Sequence, residues 1–259
     1  MGKKNGYAVV TGATSGIGKV FAYELAKEGF DLILVARRKA RLIAIQKELV
    51  ERFGIRCKWL EADLSKFEGC KKVESELSSE KIAVFINNAG FGDCGNFMDR
   101  DWEKESEMID LNIKAVHFLT KVVLRKMQKQ KGGYLLNVAS SAGLLPAGPF
   151  MATYYATKSY VASFTRAIAY ELKEKNSPVY VGVLCPGPVD TEFNEVARVK
   201  FALPGISAET CVSYAIRQMK RKKTVIIPGK MIKLGVLAGR IVPESMAIAI
   251  TARQQKRKM

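Results

Sequence analysis

Acidic residues are in short supply in this chain. Its 259 residues hold 25 Asp and Glu against 42 Lys and Arg, a net charge of +17. Such an excess draws anions: a phosphorylated cofactor, an acidic carrier protein, an anionic lipid or a nucleic acid. No recognisable nucleic-acid module accompanies it, so no specific nucleic-acid partner is expected. Cysteine is sparse and unpatterned. Cys57, Cys70, Cys94, Cys185 and Cys211 are odd in number and never in C-x-x-C spacing, which fits a reducing cytosol and argues against a zinc site. His117 is the single histidine; it falls in a segment of helical period and is read as structural. Long apolar runs are missing too. The stretch 231–250 is broken by Lys233, Arg240, Pro243 and Glu244 and does not read as a transmembrane helix. The N-terminus, with Lys3 and Lys4 and few apolar residues before a turn, does not read as a signal peptide. The expected location is cytoplasmic.

What is present is a regular alternation. Apolar runs at 7–11, 31–36, 56–60, 82–87, 133–139, 179–184 and 224–227 predict strands. Helical periodicity predicts helices over 16–28, 39–53, 67–78, 101–129, 151–175 and 208–221. Hydrophobic residues make up 48% of the chain, enough for a real core. The pattern predicts an α/β fold, doubly wound, with a mainly parallel seven-stranded sheet and helices on both faces. One domain spanning 1–259 is expected. Two segments fall outside the alternation: 188–206, with Phe193, Val196, Val199, Phe201 and Leu203, and the extension 228–259.

Two motifs carry chemistry. Tyr154 and Lys158 are four apart, so a helix presents them on one face. A free phenol has a pKa of about 10, and an ammonium beside it lowers that value, giving a proton donor tuned toward working pH. Ser141, thirteen residues earlier, is positioned to hold a substrate oxygen. Alone, this spacing describes many ordinary helix starts. The second motif is YAVVTGATSGIG at 7–18. A strand ends at Thr11, the turn carries Gly12, Gly16 and Gly18, and a helix follows. Glycines there allow a sharp turn and close approach of a pyrophosphate, and the helix N-terminus offers unpaired N–H groups.

The chain resembles the short-chain dehydrogenases/reductases from about residue 5 to 228. The resemblance rests on Thr11-Gly12-x-x-x-Gly16-Ile17-Gly18, Asp63-Leu64, Asn87-Asn88-Ala89-Gly90, Asn112, Ser141, Tyr154-x-x-x-Lys158 and Pro186-Gly187, in the family's order. Within the family it is similar to a bacterial branch that itself resembles the hydroxysteroid and long-chain 3-ketoacyl reductases. The resemblance implies a Rossmann-type fold and a catalytic set of Asn112, Ser141, Tyr154 and Lys158. In it Tyr154 gives the proton, Lys158 lowers the tyrosine pKa, Ser141 binds the substrate oxygen and Asn112 supports a water relay. Ser140 and Tyr155 are the neighbouring decoys. It further implies a cofactor site of Gly12, Thr14, Ser15, Gly16, Ile17, Gly18, Asp63, Leu64, Asn88, Ala89, Gly90, Tyr154, Lys158, Pro186, Gly187, Val189 and Thr191.

Strand two ends in Ala36-Arg37-Arg38, where an acidic residue would bind a ribose 2′-hydroxyl. Guanidinium grips a 2′-phosphate instead, so Arg37 and Arg38 predict NADP(H). The expected activity is an NADPH-dependent oxidoreductase acting on a carbonyl or secondary alcohol of a hydrophobic small molecule, such as a steroid or long-chain ketone. A 3-oxoacyl-thioester reductase acting on coenzyme A or acyl carrier protein derivatives stays open. So does a non-catalytic protein that senses NADP(H). The segment 188–206 is expected to be a substrate lid. The long segments 101–129 and 151–175 predict a homodimer, or a homotetramer built on it. In the C-terminal extension, Met246, Ala249 and Ile250 share a helix face and basic residues follow. That face is expected to pack on the core or a partner subunit; the rival reading is peripheral contact with an anionic membrane.

Overall fold

In the computed structural model, residues 5–193, 197, 205–239 and 241–256 are described. Strand β1, Tyr7–Thr11, is buried at every position, as are β2, Asp31–Ala36, and β6, Val179–Leu184. Strands apolar on both faces need a helical layer on each side. Side-chain parity shows two such layers: Ala8, Val10, Leu32 and Leu34 enter one core, Tyr7, Val9, Ile33 and Val35 the other.

Strands β3 (Cys57–Glu61), β4 (Ile82–Asn87), β5 (Gly133–Val138) and β9 (Val225–Ile226) complete a seven-stranded sheet of order β3-β2-β1-β4-β5-β6-β9. Every pairing in it is parallel. Helices α1 (Gly16–Lys27), α2 (Lys39–Phe53), α3 (Phe67–Leu77) and α6 (Ala152–Glu174) fall where the periodicity predicts them. So does α7, Ala208–Lys220. The order reverses between β1 and β4, and the crevice at the C-terminal ends of those strands is where such sheets bind ligands. Thr11 fastens the crevice: its hydroxyl accepts the backbone N–H of Asn88 at 2.9 Å and of Ala89 at 3.0 Å.

Three local features depart from the sequence pattern. The helix expected over 101–129 is split into α4 (Trp102–Ile109), a π-helical turn (Asp110–Ala115) and α5 (Val116–Lys129). Within 188–206, Val189–Asp190 (β7) and Ile206–Ser207 (β8) form a small parallel pair. Of the expected lid residues there, Val196, Val199, Phe201 and Leu203 lie outside the described residues. The C-terminal extension forms two helices, α8 (Lys230–Ala238) and α9 (Glu244–Lys256). Helix α9 buries Ala247, Thr251 and Gln255 and leaves Met246 and Ile250 exposed. The apolar face expected to pack inward points outward instead, because Gln255 is drawn in by the Tyr155 hydroxyl. His117 is held on α5 by Tyr160 and Phe164 of α6, its Nδ1 lying 2.6 Å from the Tyr160 hydroxyl.

Candidate active site

The crevice opens into a cavity of about 380 Å³, within the range that holds small ligands. Of the expected site residues, Gly18 and Asn112 stand behind its wall and the others line it. At one end lies the Gly-rich turn. Gly12 and Gly16 have positive φ, +65° and +50°, which glycine adopts without strain. A Cβ on Gly18 would sit 2.2 Å from the Gly12 carbonyl oxygen, so no other residue lets α1 pack this tightly. Ser15 precedes α1 without capping it through its side chain; its hydroxyl instead accepts Arg38 Nη2 at 2.7 Å. The first N–H groups of α1 are thus left for an anion.

The two arginines after β2 diverge. Arg37 pairs with Glu107 at 2.8 Å. Arg38 lies across the turn, donating to the Thr14 hydroxyl at 3.0 Å and reaching Glu192 at 3.0 Å. Glu192 also meets Arg41 at 2.8 Å, and these guanidinium groups hold its carboxyl below the usual carboxylate range. Asp63 turns its Oδ1 to the Ser65 hydroxyl at 2.8 Å. Glycines that admit close approach, free helix N–H groups and cations past β2 fit a dinucleotide bearing a 2′-phosphate.

At the other end are Tyr154 and Lys158, both buried on α6. The Lys158 ammonium lies 5.8 Å from the Tyr154 ring centroid and donates to the Val138 carbonyl at 3.2 Å. Burial sets both ionisations. It pushes the Tyr154 phenol up to about 12 and brings the Lys158 ammonium down to about 8. Lys158 is turned to the Val138 carbonyl and is itself desolvated, while the nearby Ser140 hydroxyl works against burial and draws the phenol downward.

Ser140 and Ser141 both line the cavity with Tyr154. Ser140 caps the short 3-10 turn Ser141–Leu144, its hydroxyl accepting the Ala142 N–H at 3.1 Å. Ser141 is tied by its own N–H to the Pro186 carbonyl at 2.7 Å, though it still lines the cavity.

Asn112 sits in the π turn. Its side chain accepts the Phe91 N–H at 3.2 Å and donates to the Phe91 carbonyl at 2.9 Å and the Thr157 hydroxyl at 3.1 Å. A Cβ on Gly90 would fall 2.7 Å from Asn112 Oδ1 and 3.2 Å from Lys158 Nζ, so that glycine lets strand end, π turn and lysine converge.

Sequence reasoning missed two polar wall residues. Glu192 follows Thr191, and only the fold shows that it reaches Arg38. Gln255, from α9, is buried and donates to the Tyr155 hydroxyl at 2.5 Å. Phe193 closes over Tyr154, ring centroids 5.6 Å apart.

Residues 6–200 match the family model for short chain dehydrogenases. The very-long-chain 3-oxoacyl-CoA reductase of Laccaria bicolor is 36% identical over 68% of this chain, which spans 53% of that protein's length. The 17-beta-hydroxysteroid dehydrogenase type 3 of Rattus norvegicus is 30% identical over 79% of this chain and 71% of its own. The structure of a short-chain dehydrogenase from Sphingobium yanoikuyae in complex with NADPH superimposes with a TM-score of 0.83 at 30% identity, covering 91% of this chain and 93% of that one. With the parallel sheet, the Gly-rich turn and the Tyr154–Lys158 pair all consistent with that match, the chain belongs to the short-chain dehydrogenase family.

Proposed function

We propose that the protein is an NADP(H)-dependent oxidoreductase that interconverts a carbonyl and a secondary alcohol on a hydrophobic small molecule such as a steroid or long-chain ketone. One observation carries this reading: a buried Tyr154, with Lys158 beside it on α6, stands in the same cavity as Ser140, Arg38 and the Gly-rich turn. Gly12, Gly16 and the α1 N-terminus would hold the pyrophosphate and Arg38 the 2′-phosphate. When bound, the reduced nicotinamide supplies the hydride. Ser140 donates a hydrogen bond to the substrate oxygen. Tyr154, which keeps its proton at neutral pH, transfers it to that oxygen as the C–O double bond becomes single. Lys158 supplies positive charge beside the phenol, and Asn112, through Thr157, fixes the helix turn that carries them.

The substrate wall is apolar, with Phe91, Met151 and Phe193 lining it, which supports a hydrophobic ketone; 188–206 would act as its lid. A 3-oxoacyl thioester is the second reading, supported by the basic surface and by the reductase from Laccaria bicolor. Assay of steroid ketones, long-chain ketones and 3-oxoacyl thioesters by NADPH consumption tests both. Binding of NADPH with no turnover of any of them would leave the non-catalytic sensor as the better account.

The same reading extends to assembly. Phe67 and Phe118 meet edge-on at 5.1 Å beside α5, with Phe67 exposed, which supports a homodimer or homotetramer through α5 and α6. A cytoplasmic location goes with this reading. Met231, Leu234, Leu237, Ile241, Met246 and Ile250 are exposed along α8, α9 and the turn between them, among Lys230, Lys233, Arg253 and Lys256. That mixture supports peripheral contact with an anionic membrane.

A further inference from the structure

Glu192 is placed where it meets the cations that read the cofactor. Its two carboxylate oxygens bridge Arg38, at 3.0 Å, and Arg41, at 2.8 and 2.9 Å. Arg38 also grips Thr14 and Ser15 of the Gly-rich turn. The four chain regions that meet here are the first turn, the end of β2, the start of α2 and the segment after Thr191. A carboxylate is the closest side-chain mimic of a phosphate: planar-forked guanidinium pairs with either in the same bidentate manner. A 2′-phosphate on Arg38 would lie against Glu192, and two anions on one guanidinium repel.

We propose that Glu192, anchored by Arg41, competes with the cofactor's 2′-phosphate for Arg38, so that it sets the margin by which the phosphorylated dinucleotide is preferred and is displaced from Arg38 when that phosphate binds. The proposal rests on the NADP(H) reading of the site. It makes Glu192 a specificity residue outside the catalytic set. It also couples the 2′-phosphate to the start of the segment 188–206, where Glu192 lies. Among the described residues, Glu192 is the side chain that ties this segment to Arg38 and Arg41, so displacing it loosens that tie.

The test uses fragments that isolate the phosphate: adenosine 2′,5′-bisphosphate and AMP, titrated by calorimetry into the native protein and into Glu192→Gln. Exposed ion pairs are individually weak, so the gain from removing the competitor is expected to be about three- to tenfold in Kd for the bisphosphate, with AMP unchanged. The gain should shrink in high salt, where exposed charges are screened, and should vanish when Arg38→Gln is combined with Glu192→Gln. NADPH and NADH should repeat the contrast. An equal change for both nucleotides, no change for either, or a gain that persists without Arg38 overturns the proposal while leaving the cofactor reading intact. Failure of the native protein to bind either NADPH or the bisphosphate overturns both, and is distinguished by the absence of any heat in the native titration.

Discussion

Lys158 should destabilise the fold it serves. Its ammonium is buried, and burial brings its pKa from 10.5 to about 8. Lowering a pKa by one corresponds to about 1.4 kcal/mol, so keeping this lysine charged at pH 7 costs roughly 3 kcal/mol. Lys158→Met keeps a long unbranched side chain and removes the charge. It also forfeits the hydrogen bond to the Val138 carbonyl at 3.2 Å, worth about 1 kcal/mol. The variant should therefore be about 2 kcal/mol more stable at pH 7, which in a chain of this size raises Tm by roughly 4–8 °C. Because the folded-state pKa lies below the unfolded one, the unfolded chain binds more protons between them, and native stability rises with pH across that window. The advantage of Lys158→Met should thus be full at or below pH 7, fade as pH climbs through 8, and be gone by about pH 10, where the remaining cost of the charge has fallen to that of the lost hydrogen bond. Thermal unfolding of both proteins without added nucleotide, at several pH values, measures it. A variant no more stable than native at pH 7, or a gap that widens toward pH 10, would refute the argument. Turnover should collapse in the same variant, a stability gain traded for function.

Ser140→Ala should lower turnover about 10²-fold or more, by the scale of losing one donor to a developing oxyanion, while Ser141→Ala stays within severalfold of native; steady-state kinetics on any accepted ketone decides, and the reverse order would restore Ser141. Tyr154→Phe should lose about 10²–10⁴-fold in turnover with NADPH binding retained, since only the proton donor is removed; near-normal turnover would sink the assignment, and Tyr155→Phe is the control. A chain ending at Val242 should lose co-sedimentation with vesicles containing phosphatidylserine, as should Leu234→Glu in the full chain; binding by both equal to that of the native chain, or binding by none of the three, removes the membrane role.

Much of the fold could be read from the sequence because its strands are buried on both faces. A run such as LILVA at 32–36 has no helical period to confuse it, and the turn at Gly12–Gly18 gives the first crossover. The π turn could not be read this way. Its residues Asp110–Ala115 keep the polar and apolar spacing of an ordinary helix, and Asn112 at its centre is held by Phe91, a contact 21 residues away. The serine shows a related limit. Ser140 and Ser141 both line the cavity, and counting thirteen residues back from Tyr154 separates them only if the loop between, which passes through Phe150 at φ +66°, has a fixed length.

The C-terminal helix shows the same limit from the opposite side. A pattern argument ranks faces by their apolar bulk and selects Met246, Ala249 and Ile250. The face that packs is Ala247, Thr251 and Gln255, two small side chains and an amide. Small residues let α9 approach closely, Thr251 returns its hydroxyl to the Ala247 carbonyl at 2.9 Å, and Gln255 meets the Tyr155 hydroxyl. The phenol satisfies the amide nitrogen and so offsets part of the cost of burying it, while Oε1 stays buried without a hydrogen-bond partner among the described residues, and nothing local to residue 255 announces a partner 100 residues earlier. Residues chosen by their neighbours in space are those a linear reading loses, and at this site they include Glu192 and Gln255. Glu192 meets Arg38, which the sequence singles out, and Gln255 meets Tyr155, which it sets aside as a decoy. The motifs therefore locate the cavity, while the selectivity of its two ends is written in residues that only the fold assembles around them.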